Sequence, residues 1–201
     1  MGMVLYLRRV DDGEMRHLLA EPDGVERFLF GDPPPPPPRQ GGILGFLKRL
    51  SPIKVESVED YPLPTPRGGE DELDLEGVWE ELHALLTGTA WEGEEPACYL
   101  LAGGEELGGD AEIGAGPPRL IRPAEVARFA EHLDALSTEE VAARYDPARM
   151  TALGVHPRHA ALTPSRPDQP VRQHLLDAFE DLRGFVRETA GQGRGIVAFL
   201  A

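Results

Sequence analysis

Apolar residues recur with helical spacing in the middle of the chain, at Leu75, Val78, Trp79, Leu82 and Leu86. Such an i, i+3, i+4, i+7 stripe is typical of an amphipathic helix that buries one face. Asp74 precedes the stripe as a good N-cap, and Gly88 follows it where a left-handed residue can end a helix. We therefore predict a core helix over 75–87 that leads into a short polar loop at 87–91.

Apolar runs at both ends of the chain predict strands that meet in one sheet. The first strand covers residues 3–10, and residues 196–200 are apolar throughout, which indicates a strand buried on both faces. A third, central strand is predicted at 119–121, because the prolines at 117 and 118 forbid a helix there.

Several further helices follow from apolar stripes and capping signals. They are expected at 14–20, from Pro123 to about Leu136, from the Ser137–Glu140 capping box to Tyr145, at 147–150 and at 170–190. The short apolar runs at 25–30 and 97–102 are compatible with either a helix or a strand.

The length of 201 residues favours a single domain with one interruption at about 31–72. That segment is rich in proline and acidic residues, and we interpret it as an insertion that is loop or partly disordered. Its proline run at 33–38 favours a polyproline II helix, either a docking peptide or a stiff spacer. Residues 43–50 could form a short amphipathic helix that packs on the protein or contacts a membrane.

The charge balance narrows the choice of partner. A net charge of −15 argues against nucleic acid and anionic membranes, and it favours either solubility alone or a basic protein partner. The single cysteine, Cys98, forms no intrachain disulfide and suits a cytoplasmic location. We find no apolar run of membrane-spanning length and no signal-peptide core.

Three groups of residues are candidates for chemistry. His83 follows Glu80 by one helical turn, which suits either a metal pair or a half-buried histidine bonded to a carbonyl or carboxylate. Thr87, Thr89 and Trp91 could hold a small polar ligand or simply end the helix. Arg119 could anchor an anion or pair with a carboxylate. We expect no metal site and no cofactor.

Three motifs carry a resemblance to a known family. They are the opening MGM, the run LHALLTGTAW and the run GAGPPRLIRPAEV, and a long helix and an apolar strand close the chain. The sequence is similar in these respects to the YfbM-like family of small bacterial proteins, with Trp79, His83, Gly114 and Arg119 among the matching residues. The resemblance covers the start of the chain and residues 72–201.

The resemblance implies a mixed α/β layered domain and supplies no reaction, because the family is a domain of unknown function. Two positions depart from its pattern. Ala84 and Ala115 stand where the family usually carries aromatic residues, so any pocket built from those rings is altered in this chain.

Taken together, we predict an α/β fold, a helix-rich layered domain with a small mixed sheet formed by N-terminal, central and C-terminal strands. The first functional hypothesis is a non-enzymatic binding or interaction domain with a cleft between the 87–91 and 114–119 loops. Its ligand would be a basic protein or a small polar molecule. The alternative is an enzyme for a small polar or anionic substrate, with His83 as acid/base and Arg119 as anchor. A third hypothesis is a structural domain with no ligand pocket.

Overall fold

The computed structural model describes residues 3–31, 70–75, 77–109, 113–155 and 169–201. The strands are β1 (Leu5–Val10), β2 (Glu72–Asp74), β3 (Glu105–Glu106), β4 (Arg119–Ile121) and β5 (Gly195–Leu200). The helices are α1 (Asp12–Ala20), α2 (Val25–Phe30), α3 (Trp79–Thr87), α4 (Pro123–Asp134), α5 (Thr138–Arg144), α6 (Pro147–Ala152) and α7 (Gln169–Gly191). The α/β class predicted from the sequence is confirmed.

The five strands form one sheet in the order β2-β1-β5-β4-β3. The terminal strands pair as expected, with Leu5 opposite Leu200 and Val10 opposite Gly195. The sheet was predicted to be mixed, and this is wrong for the described strands, whose pairings are all antiparallel. Apolar patterning shows which strands are buried, but it does not encode their direction.

Helices cover both faces of the sheet, and β5 supplies side chains to both cores. Ile196 and Ala198 belong to the larger core, which contains α3 to α7, whereas Val197 and Phe199 belong to the smaller core with α1 and α2. This alternation confirms that the last strand is buried on both faces.

Helix α3 is buried as predicted, but it begins later than its apolar stripe suggested. Asp74 lies in β2 opposite Tyr6 and does not cap the helix, and the amide of Leu75 donates to the carbonyl of Leu5 (3.0 Å). Pairing with β1 therefore holds residues 72–75 extended, although they had been interpreted as loop and first helical turn. The helix ends at Gly88 in the left-handed conformation (φ 79°), as predicted.

Local capping signals are confirmed elsewhere. Ser137 and Glu140 form the predicted capping box at the start of α5, and Asp146 caps α6. Of the two ambiguous runs, 25–30 is α-helical and Ala97–Leu100 forms a 3-10 turn. The predictions for 33–38 and 43–50 lie outside the described residues. The insertion at 31–72 within a single domain stays a prediction.

A buried arginine joins the smaller core to the edge of the sheet. Arg8 is 0% exposed, and its guanidinium lies 5.9 Å from the centre of the Phe28 ring and 5.2 Å from that of Phe199. It donates to the carbonyl oxygens of Phe28 (2.9 Å) and Leu29 (3.3 Å), and to Glu72 (2.6 Å). Arg8 therefore ties the end of α2 and strand β2 to β1.

Replacing Arg8 should be costly, because it leaves a largely buried carboxylate and two carbonyls without their donor. We expect Arg8→Met to lower the free energy of unfolding by about 3 kcal/mol, measured by urea denaturation. The matched control is Arg122→Gln, which breaks the exposed ion pair with Glu105 and should cost less than about 1 kcal/mol. Equal losses in the two variants would contradict this role for Arg8.

Candidate functional site

The hydroxyl groups of the 87–92 loop stabilise the end of α3. The Thr87 hydroxyl donates to the carbonyl of His83 (2.8 Å) and accepts from the amide of Thr89 (3.2 Å). The Thr89 hydroxyl donates in turn to the carbonyl of Glu92. Both threonines therefore perform the helix-ending work that hydroxyl side chains commonly do after a last turn.

His83 holds the same loop from inside the core. Its side chain is 0% exposed, and its Nε2 lies 2.9 Å from the carbonyl oxygen of Glu92. Because a carbonyl only accepts, Nε2 carries the hydrogen, and the buried Nδ1 has no hydrogen-bond partner among the described residues. Burial lowers the pKa of His83, and the bond to Glu92 opposes that shift. His83 is therefore a neutral, internal donor.

Trp91 stands out as the exposed large hydrophobic side chain of the described residues, at 55% exposure. Its ring meets the buried Trp79 ring edge-on, with 5.7 Å between the centroids. Trp91 lines a cavity of about 230 Å³ together with Leu101, residues 115–117, Arg119 and the end of β5. We call this cavity the Trp91 cleft.

The far wall of the Trp91 cleft is fixed against the last strand. Gly114 adopts φ 61°, and a Cβ there would lie 2.3 Å from the carbonyl oxygen of Leu200, so only glycine allows this approach. The next amide, that of Ala115, donates to the same oxygen (3.3 Å). Arg119 is held by Glu106, with 2.5 Å between Nη2 and Oε1. The wall is thus built by backbone contacts and an ion pair.

The structure brings together only some of the candidate residues. Trp91 and Arg119 line one cavity, whereas His83 and Thr89 do not, and Thr87 lines a different cavity beside Gly88. Sequence reasoning did not identify Leu101 or the end of β5 as cleft-lining, because no local pattern reports contacts between distant segments. The ligand-binding role of the five candidate residues stays a prediction.

Comparison with known families decides the affiliation of the chain. A domain of unknown function, DUF1877, matches residues 1–199. The chain belongs to this family. Its fold is similar to the crystal structure of a protein of unknown function, YfbM, from Escherichia coli. The two are 16% identical, with a TM-score of 0.57 over 98% of this chain and 99% of that chain. At this identity the likeness shows the fold alone. Comparison with curated proteins gives no match.

Other candidate chemistry in this DUF1877 member has structural explanations. Cys98 is 3% exposed, and burial raises the pKa of its thiol, as expected for a small buried hydrophobe. Within the described ranges, no group of three or more His, Cys, Asp or Glu side chains is arranged to hold a metal ion. None of the helices in those ranges combines the length and apolar character needed to cross a bilayer.

We expect the free energy of unfolding to fall as the pH is lowered from about 7.5 to 5.5. Burial lowers the pKa of both His83 and His132, so the unfolded chain takes up protons that the folded chain does not. The stability contributed by the two neutral histidines is fully present above the ordinary histidine pKa of about 6.5. It is lost as the pH falls through the lowered pKa values that these histidines have in the folded protein. Urea denaturation at several pH values measures the slope, at most about 1.4 kcal/mol per pH unit for each histidine.

The His83→Asn variant separates the two histidines. It should lower stability at every pH, and it should also reduce the slope because one titrating group is missing. A slope identical to that of the unmodified protein would show that His83 does not titrate in this window.

Proposed function

We propose that this DUF1877 member is a non-enzymatic binding domain that recognises a basic protein partner at the Trp91 cleft. The observation that carries the proposal is the 55% exposure of Trp91 at the rim of a cavity. A large aromatic side chain kept in water loses the stabilisation that burial would give it, and such residues are enriched among the anchors of protein interfaces.

The position of Trp91 is fixed before any partner arrives. Its ring rests edge-on against Trp79, which is 0% exposed and belongs to the larger core. A preformed aromatic surface avoids the entropic cost of ordering a side chain on binding, about 0.5–1.5 kcal/mol for a flexible one. This supports Trp91 as a docking surface rather than a loose loop residue.

The charge around Trp91 favours a cationic group. Glu92 and Glu94 follow it closely, and both are exposed. Neither carboxylate makes a hydrogen bond or ion pair with the described part of the chain. An arginine or lysine side chain lying over an indole gains about 0.5–2 kcal/mol. The net charge of −15 would also speed the approach of a basic protein.

Two other hypotheses receive less support from the geometry. A small polar ligand would need free polar groups, but the cleft is walled largely by apolar residues and Arg119 is already paired with Glu106. An enzyme with His83 as acid/base would need substrate to reach a side chain that is 0% exposed and does not line the cleft. A cytoplasmic location, which the single buried cysteine suits, is part of the proposal.

A tetra-arginine peptide provides a defined basic probe. We expect it to quench the fluorescence of Trp91 on titration, and we expect Trp91→Ala to weaken its binding about tenfold, measured by calorimetry. If Trp91→Ala binds the peptide as tightly as the unmodified protein, the peptide is attracted by the overall charge rather than by Trp91, and the proposal fails.

Two matched charge variants separate local recognition from overall attraction. Glu92→Gln with Glu94→Gln removes two charges beside Trp91, whereas Glu131→Gln with Glu139→Gln removes two exposed charges on α4 and α5. Both proteins have the same net charge, so long-range attraction falls equally. The first variant should lose several-fold more affinity for the peptide than the second. Equal losses in the two variants would contradict recognition at the Trp91 cleft.

A further inference from the structure

A second cavity lies at the C-terminal end of helix α3. It has a volume of about 250 Å³ and is formed by the last turn of α3 and by α6 with the segment before it. Its apolar lining includes Leu85, Leu86 and Met150, which are buried, and its polar lining includes Arg144 and Arg149, which are exposed. We call it the Arg149 cavity.

Two arginines without a described carboxylate partner share this cavity, although acidic residues outnumber basic ones in the chain. The sequence has 35 acidic against 20 basic residues. Eight arginines form ion pairs with a described carboxylate, for example Arg9 with Glu188 and Arg194 with Asp71. No described carboxylate lies within ion-pair distance of Arg144 or Arg149.

Helix capping explains the position of Arg144 but not that of Arg149. Arg144 donates through Nη1 to the carbonyl oxygen of Leu85 (3.1 Å), an ordinary contact for a cation at the negative end of a helix. The guanidinium of Arg149 makes no hydrogen bond with the described residues. Asp146 also lines the cavity, but its Oδ1 accepts from the amides of Ala148 (2.9 Å) and Arg149 (3.1 Å) at the start of α6.

The Arg149 guanidinium lies close to Gly88, a residue that has no side chain. Its Nη2 lies 3.4 Å from the point where a Cβ on Gly88 would stand. A Cβ at that distance would make only an ordinary contact with the guanidinium, so the left-handed φ of 79° is what favours glycine at position 88. The Arg149 guanidinium therefore lines the cavity together with buried apolar side chains, and its donors make no hydrogen bond with the described residues.

We propose that the Arg149 cavity binds a small organic carboxylate. The carboxylate would accept two hydrogen bonds from the Arg149 fork, a geometry that guanidinium matches closely. Arg144 adds positive charge beside it, and the short apolar part of the ligand covers Leu85, Leu86 and Met150. This site is separate from the Trp91 cleft, and it does not depend on the function proposed above.

Benzoate, acetate and inorganic phosphate are the probes, titrated while NMR follows the amide signals of Gly88 and Leu153, which both line the cavity. We expect saturable binding of benzoate, with acetate and phosphate weaker by about tenfold because they lack the apolar part. The absence of saturable benzoate binding, or binding of phosphate or acetate as tight as that of benzoate, would overturn the proposal.

Substitutions at Arg149, with a control substitution at Arg16, complete the test. Arg149→Gln should weaken benzoate binding about tenfold or more, since it removes a charge-assisted bond. It should leave thermal unfolding unchanged, because that exposed side chain has no partner in the fold. Arg149→Lys, which keeps the charge without the fork, should bind with intermediate affinity.

The control is Arg16→Gln on α1, an exposed arginine outside the cavity, which should bind as the unmodified protein does. Unchanged affinity in Arg149→Gln, or equal losses in it and the Arg16→Gln control, would refute the assignment.

Discussion

The buried indole of Trp79 is the contact on which the rest of this structure depends. Its side chain is 0% exposed, and its N–H donates to the carbonyl oxygen of Met3 (3.1 Å), just before β1. Burying an indole removes about 200 Å² from water, which stabilises the fold by about 5 kcal/mol. The same ring supports Trp91 edge-on. One residue therefore links the N-terminal strand, the core helix and the rim of the proposed binding cleft.

Strand β5 is the second constraint, because it is the common wall of both cores. It lies between β1 and β4, although it is the last strand in the sequence. Its residues alternate between the larger core and the smaller one. The end of this strand also lines the Trp91 cleft, and the carbonyl oxygen of Leu200 fixes the 114–116 turn. The strand that completes the sheet therefore also shapes the Trp91 cleft.

Features encoded over a few residues could be predicted from the sequence, whereas those that depend on distant partners could not. The capping box of Ser137 and Glu140 and the left-handed Gly88 depend on their own neighbours, and both appear as expected. The early start predicted for the core helix is wrong, because Asp74 pairs with Tyr6, a residue far from it in the sequence. The Arg149 cavity was missed for a similar reason. An arginine in a short surface helix is unremarkable in sequence, and its lack of a carboxylate partner exists only in the folded chain.

The most direct test of this account is acrylamide quenching of the two single-tryptophan proteins, Trp91→Phe and Trp79→Phe. If Trp79 lies at the centre of the core, the Trp91→Phe protein should emit at short wavelength and resist quenching. The Trp79→Phe protein, which retains only the half-exposed Trp91, should be quenched several-fold more strongly. Equal quenching of the two proteins would show that the Trp79 helix lies at the solvent-exposed surface, and this would contradict the account.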